Sequence, residues 1–395
     1  VVAFDPGNAD FIVDPYPTLA DLRERHRIFQ QDGTGEWFVT RFDDIKTGLR
    51  NHSLGRVQDL KDLEAGHDPR WASFWEAERW SLLELEPPDH TRLRRLLSYA
   101  FLRRNLDRLR HPSEVAAVSL LEQLAKRKEF DLVADFAQPY SVSIIASLLG
   151  IPATDGKQLV AWSNNMVKMY ELDTTHAQAV AANDAAGAFG EYVRHHINQK
   201  RSNPADDLMS ALVAAQFEGK GMSEPELVST MIVLLNAGHE ATVNTVGNGM
   251  TAFLQHPAEW ERVKVGEVAP AIAIEEMLRF DSPLQLFERW VLEDTEVAGQ
   301  PVSKGEQVGF LFGSAQRDPR QFDEPDTFRA ARGDTRHIGF GAGIHHCIGA
   351  PLARIELDAA LSAIAKTTPN LALVASPVRN QAFVIRGYEQ VVVTA

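Results

Sequence analysis

A mainly helical fold with a small β-rich lobe is what the sequence predicts, on three observations. The longest helical pattern in the chain runs from Ser223 to about Gln255, opens on the capping box Ser223-x-x-Glu226, and is apolar on nearly all sides from Met231 to Leu235, so it belongs in an interior. After Pro283 the pattern changes to short strands, Leu286 to Val291, Glu296-Val297 and Gln307 to Leu311. The only cysteine, Cys347, stands in a glycine-rich stretch over 337–356, HIGFGAGIHHCIGAPLARIE, that leads at once into a helix start at Ala350-Pro351. Residues 1–395 are expected to form one domain, since larger single domains occur and no low-complexity run divides the chain.

At 44% hydrophobic and 24% charged residues, the chain can bury a large core. A single cysteine excludes internal disulfides and fits a reducing compartment, so a cytoplasmic location is expected. The N-terminus VVAFDPGNADFIVDPYP has no basic region followed by an apolar run, and unbroken apolar runs such as 231–235 are far too short to span a bilayer. A soluble protein without a membrane anchor is therefore expected. The net charge of −14 argues against nucleic acid as a partner, because binding phosphates requires a basic face.

Taken in order, Pro15 to Ile28 reads as an amphipathic helix, Trp37 to Val39 as a strand and Asp43 to Arg50 as a helix. Residues 66–82 are dense in aromatics, with Trp71, Phe74, Trp75 and Trp80 close together, a pattern that core packing alone would explain. Pro87-Pro88-Asp89 opens a helix with Asp89 as its expected N-cap, and His90 and Arg94 stand four apart on one face. Arg92, Arg95, Arg103 and Arg104 are close by. Further helical patterns cover Glu114 to Lys128, Tyr140 to Leu149 and Ala177 to Gln199, broken at Gly150-Ile151-Pro152. Phe383 to Ile385 and Gln390 to Val393 read as closing strands.

Three local patterns carry chemistry. Inside the long helix, Asn236-Ala237-Gly238-His239-Glu240-Ala241-Thr242 places a glycine beside an acid in a buried segment, where the glycine alone is unfavourable by about 1 kcal/mol. Glu276-x-x-Arg279 puts an acid and a base on one helical face. Around the cysteine, Phe340, Gly343, Cys347 and Gly349 give F-x-x-G-x-x-x-C-x-G. Glycines at 339, 341 and 343 permit positive φ and close approach to a flat ligand, and the following helix aims its N–H groups at the sulfur. A lowered thiol pKa and a thiolate able to bind a soft metal centre are expected there.

These stretches together resemble the bacterial-type soluble cytochromes P-450, the haem-thiolate monooxygenases, from about residue 10 to the end. The resemblance implies a b-type haem between the long helix and the helix after Cys347, with Cys347 as the iron ligand. It places His90, Arg94, Arg289 and His345 at the haem propionates, and Phe340, Gly341, Gly349, Ala237 and Gly238 against the haem. Histidine ligation of the iron by His345 or His346 is the competing idea. Glu240, Ala241 and Thr242 fall on the family's oxygen-binding kink, A-G-x-[D/E]-T-[T/S], with Ala241 where a threonine is usual. Thr242 is one place on, about 100° around the helix. Glu276, Arg279 and Arg332 match a structural lock. Trp71, Phe74, Trp75, Gln285 and Phe287 would line the substrate pocket, 66–82 would be the variable loop above it, and 169–175 a mobile lid.

The activity so implied is oxygenation of a hydrophobic, already oxygenated small molecule. Electrons would come from NAD(P)H through a separate ferredoxin and ferredoxin reductase, or a flavodoxin, since one cysteine cannot hold an iron–sulfur cluster. The arginines near 92–104 would form a landing patch for an acidic donor. Two other uses of haem stay open at the level of sequence: a peroxide-using or electron-independent enzyme, and a haem protein that binds or senses a ligand without turnover.

Overall fold

The structure, a computed structural model, describes residues 1–56, 68–217 and 221–395, excluding the side chains of Arg103, Arg104 and Phe217. The first half of the chain forms α1 (Ala9–Val13), α2 (Tyr16–Arg25), α3 (Phe42–Gly48), α4 (Ala72–Glu78), α5 (Asp89–Ser98), α6 (Arg103–Leu106), α7 (Arg110–Leu124) and α8 (Gln138–Leu149). The second adds α9 (Gly156–Met166), α10 (His176–Ser202), α11 (Leu208–Phe217), α12 (Glu224–Gln255), α13 (Pro257–Lys264), α14 (Pro270–Phe280), α15 (Phe312–Gln316) and α16 (Ala350–Thr367). The largest sheet has the order β1 (Ile28–Gln30), β2 (Trp37–Val39), β8 (Gln307–Leu311), β5 (Leu286–Val291), β3 (Leu54–Gly55). The hairpin β6 (Thr295–Val297) and β7 (Gln300–Val302) stands beside it.

The long helix α12 is the spine. Ser223 Oγ accepts the N–H of Glu226, whose carboxylate accepts the N–H of Ser223, so the predicted capping box forms. The same carboxylate is paired with Arg92, which ties the start of α12 to α5. The helix packs on α8 and α14, and α16 packs on α7, α12 and α14. An apolar stretch, 132–149, is long enough by composition to cross a membrane, but most of it is buried inside the protein as a π-helical turn and α8 against α12.

Several boundaries differ from the sequence reading. Helix α2 stops at Arg25 because Ile28 pairs with Val39 in the sheet. Asp89 is the first residue of α5 and not its cap; its carboxylate takes Arg92 at 3.2 Å, and Pro88 holds the cap position. Residues 383–385 form no strand. Their three N–H groups each donate to the carboxylate of Glu171 at 2.9 Å, which occupies the donors that a strand ladder would need. Further on, the chain makes two strands, β11 (Tyr388–Gln390) and β12 (Val392–Thr394), beyond β9 (Ala372–Leu373) and β10 (Val378–Arg379); the N–H of Val391 between them goes to Asp131.

Candidate active site

The loop before α16 is folded onto itself. Cys347 donates its N–H to the carbonyl of Phe340 at 2.9 Å, and Gly341 donates to Ile338 at 2.8 Å. Gly343 has φ +72°, and a Cβ there would lie 2.1 Å from the carbonyl oxygen of Leu49, so no other residue fits. Gly341 has φ +68°, and its missing Cβ would point into open space. Gly339, expected to be similar, is not in the positive-φ region. The Arg354 guanidinium lies 4.6 Å from the Phe340 ring centre.

At the start of α16 the backbone N–H groups of Gly349 and Ala350 donate to the cysteine sulfur. Burial nevertheless pushes the thiol up, against those two donors and the nearby charges of Arg94 and Arg354. The expected lowered pKa is therefore corrected: desolvation outweighs the helix N-terminus until a cation binds. Cys347 also retains accessible surface. The sulfur is thus open to a ligand.

The same signature appears on α12. Ala237 and Ala241, one helical turn apart, are exposed in the middle of an otherwise buried segment, with Gly238 half-buried beside them. A Cβ on Gly238 would lie 3.1 Å from Ile145 of α8, so the glycine allows close packing of the two helices at this point. The carboxyl of Glu240 accepts the hydroxyl hydrogen of Ser163 on α9 at 3.3 Å. Burial pushes Glu240 up to about 7, while Ser163 and the charge of Lys168 act in the opposite direction. Thr242 is turned to the other side and buried, with its hydroxyl on the carboxyl of Glu356. Burial raises Glu356 to about 8, with Thr242 and Ser141 opposing.

Basic side chains gather next to the cysteine loop. The rings of His90 and His345 are 4.6 Å apart, and His90 Nε2 is buried without a partner. His345 Nε2 lies 3.0 Å from a carboxylate oxygen of Glu86. Arg94 donates to the carbonyl of His346, and the His346 side chain itself is exposed. Arg289 is buried, donates to the carbonyl of Glu288 at 2.9 Å, and is lowered to about 9 by burial and by the charge of Arg56. An arginine held in that state lacks an anion. The donor set fits a group that carries carboxylates, such as haem: Arg289 and Arg94, with His90 and His345 beside them, would hold its acid groups next to Cys347.

Glu276 and Arg279 are both fully buried and joined twice, at 2.7 and 2.9 Å. Arg332 Nε donates to Glu276 at 3.0 Å, the N–H of Arg329 donates at 2.9 Å, and Arg279 reaches the carbonyls of Gln316 and Pro325. Of the expected pocket residues, Phe287 lies between the guanidiniums of Arg56 and Arg289, at 4.7 and 4.4 Å. Trp71 packs on His176, and Phe74 is buried against Trp75 and Tyr170. Residues 66 and 67 of the aromatic segment lie outside the described residues, as do the side chains of Arg103 and Arg104.

Gln285 lines no open surface. It is completely buried: its Nε2 donates to the carbonyl of Ser282 at 2.7 Å and to the hydroxyl of Tyr16 at 3.4 Å, while its Oε1 has no hydrogen-bond partner. Ser163, Glu356, Arg56 and Glu86 went unmarked in the sequence. Glu356 alone left a signal, an acid on the buried face of α16.

Fold and site together define a mainly helical protein whose one cysteine stands at a helix start beside a cluster of arginine and histidine side chains. A sequence profile of the cytochrome P-450 family matches residues 271–367. The polyketide biosynthesis cytochrome P-450 PksS of Bacillus subtilis (strain 168) is 36% identical over 388 residues, covering 95% of this chain and 93% of the relative. Its crystal structure superposes with a TM-score of 0.88, at 34% identity over 99% of both chains. The cytochrome P-450 monooxygenase PikC of Streptomyces venezuelae is 33% identical over 93% of this chain and 87% of its own. The crystal structure of CalO2 has a TM-score of 0.92 at 29% identity, covering 100% and 99% of the two chains. The chain belongs to the cytochrome P-450 family and is a monooxygenase, an oxidoreductase that incorporates one oxygen atom; family membership implies haem as its cofactor.

Replacing Arg94 by Leu should speed haem loss to an apo-globin acceptor roughly ten- to a hundredfold, the range for losing one charge-assisted hydrogen bond. An unchanged transfer rate would remove Arg94 from the cofactor's cationic partners.

Proposed function

We propose that the protein hydroxylates or epoxidises a hydrophobic small molecule that already carries oxygen, of the polyketide type, in the cytoplasm, with all 395 residues acting as one domain. Haem, when bound, supplies oxygen activation. Cys347 is its thiolate ligand, Phe340, Gly341 and Gly349 shape the loop beneath it, and Ala237 and Gly238 border it on the α12 side. Arg94 and Arg289 neutralise its carboxylates, and His90 and His345, both lowered by burial, stand beside them as hydrogen-bond partners. Electrons come from NAD(P)H through a separate ferredoxin and reductase, or a flavodoxin. The 36%-identical relative that bears a polyketide biosynthesis name supports the substrate class.

The observation that carries this reading is the arrangement of residues 240–242 on α12. Ala241 faces the cleft with a methyl group only, Thr242 is spent on Glu356, and the Glu240 carboxyl is held by Ser163. The engagement of the Thr242 hydroxyl with Glu356 supports giving the water-holding role to Glu240 and the substrate. Glu240 is left as the acid that releases the proton, and a hydroxyl or carbonyl of the substrate itself completes the relay, since proton transfer needs groups within hydrogen-bond reach. The small Ala241 leaves room for that substrate group.

With the true substrate and its deoxy analogue, product formed per NAD(P)H consumed should differ roughly tenfold in favour of the oxygenated compound, about 1.4 kcal/mol on the productive branch. Equal coupling for both, with the same binding pose, would eliminate assistance by the substrate.

A further inference from the structure

Helices α9 and α12 touch at two points one turn apart. Ser163 and Met166, three apart on α9, face Glu240 and Asn236, four apart on α12: Ser163 Oγ donates to Glu240 at 3.3 Å, and Asn236 Nδ2 donates to Met166 Sδ at 3.6 Å. Asn236, Met166 and Ser163 are all buried. The contact with sulfur decides how the Asn236 amide is turned. A thioether can only accept, so the NH2 end faces Met166 and the carbonyl end faces away from it. That carbonyl oxygen, Oδ1, is buried without a hydrogen-bond partner. Most buried acceptors in folded proteins are paired, so an unpaired one on the helix that carries the acid calls for a donor.

Glu240 supplies that donor in one of its two charge states. Side chains on a helix lean toward its N-terminus, so Glu240 lies over Asn236, one turn earlier on the same face. As a carboxylate it only accepts; as an acid it carries one O–H. Burial raises Glu240 to about 7, so the acid is present near neutrality. The other groups around it do not offer that proton an acceptor of the same kind. Ser163 donates from α9 and, with the charge of Lys168 in the turn after α9, favours the carboxylate. His239, the next titratable side chain along α12, points about 100° away, and burial lowers it to about 4, which leaves it neutral. Ser141 of α8 and Thr242 are engaged with Glu356 of α16 on the other side of the helix.

We propose that Asn236 is a positioning residue for Glu240: its Oδ1 accepts the O–H of the protonated acid, while Ser163 holds the other carboxyl oxygen. Met166 fixes the amide in the orientation this needs. A hydrogen bond made only by the neutral form favours that form, so Asn236 keeps the acid loaded at neutral pH. When Glu240 passes its proton into the cleft, the hydrogen bond to Asn236 breaks and the carboxylate keeps the Ser163 donor. One proton from solvent then restores the acid, and no other bond changes. Without the Asn236 oxygen a larger share of Glu240 stands ionised at pH 7, and less of it can deliver a proton.

This inference rests on reading Glu240 as the proton donor, so the test reads the carboxyl directly. In the haem-loaded protein, the infrared carbonyl band lost in Glu240→Gln is titrated against pH. Asn236→Leu removes an acceptor that favours the acid, so the midpoint should fall by roughly one unit, a tenfold change in the ionisation equilibrium. The band of the remaining acid should move to higher wavenumber, as it does when a carboxylic O–H loses its hydrogen bond. Asn236→Met fills the same space without a carbonyl oxygen and gives the same reading if Asn236→Leu does not fold. Equal haem content and equal melting temperature across the variants exclude a folding effect. A midpoint that rises would show the amide turned the other way, with its NH2 group on the carboxylate. An unchanged midpoint would show Oδ1 paired elsewhere, with the ring N–H of His239 as the nearest candidate. Either result overturns the proposal. The proton role is tested apart from this, by hydrogen peroxide release under a surrogate ferredoxin system. If the midpoint falls with Asn236 while Glu240→Gln leaves peroxide release unchanged, the positioning stands and Glu240 is not the donor.

Discussion

Replacing Glu276 by Ala should leave little or no soluble, haem-loaded protein. Glu276 accepts from Arg279 twice, from Arg332 and from the N–H of Arg329, and both members of the central pair are fully buried. Removing the acid strands one guanidinium in the interior and a second at its edge. Breaking a buried pair on one side costs about 3 to 5 kcal/mol, a large part of the 5 to 15 kcal/mol that holds a typical domain together. The damage is also local to the cofactor, because Arg279 fastens the carbonyls of Gln316 and Pro325, on the segment that leads to Cys347. Haem per chain and the melting temperature of any soluble fraction are the measurements. Arg279→Lys should fail almost as badly, since an ammonium cannot reproduce the paired N–H donors. A Glu276→Ala protein with normal haem content would show the cluster to be dispensable.

How far the site was legible depends on the range of each interaction. Local rules decide the capping box at Ser223 and Glu226, the tight backbone at Gly343 and the helix start behind Cys347, and each could be read from neighbouring residues. The Glu276–Arg279 pair was half legible: a spacing of three gives the shared face, but nothing in E-x-x-R announces that Arg332, 56 places later by the hydrogen bond it makes, closes the set. That Gln285, just before β5, is completely buried could not be read from its neighbours, because burial there depends on contacts with Ser282 and the distant Tyr16. Ser163 was invisible, as its meaning depends on α9 crossing α12 at one turn. Residues 383–385 look like a strand in composition, yet a single carboxylate from the distant 167–175 connection takes their donors. The thiol of Cys347 shows the same limit in energetic form, because helix N-terminus and burial oppose each other and only the enclosed site decides between them.

Cys347→Ala is expected to separate haem binding from haem-thiolate chemistry. The arginines at 289 and 94, the neutral ring of His90, which burial lowers to about 4, and the room above Gly341 remain in the variant, so it should fold and take up haem with reduced affinity. With carbon monoxide the reduced variant should lack the red-shifted Soret band that thiolate ligation gives to the wild type. Oxygenation should fall by at least about a thousandfold, some 4 kcal/mol on the barrier, because the electron donation that favours O–O cleavage goes with the sulfur. The histidines nearby are poor substitutes: His345 Nε2 is engaged with Glu86, and the His346 side chain is exposed. A pH dependence supplies a second mark. Burial raises the thiol, so haem must displace a proton on binding, and affinity should climb with pH until the thiol of the empty protein itself ionises. The alanine variant has no such proton and should show a flat profile over the same range. A wild-type Soret band surviving in Cys347→Ala would show that another side chain ligates the iron.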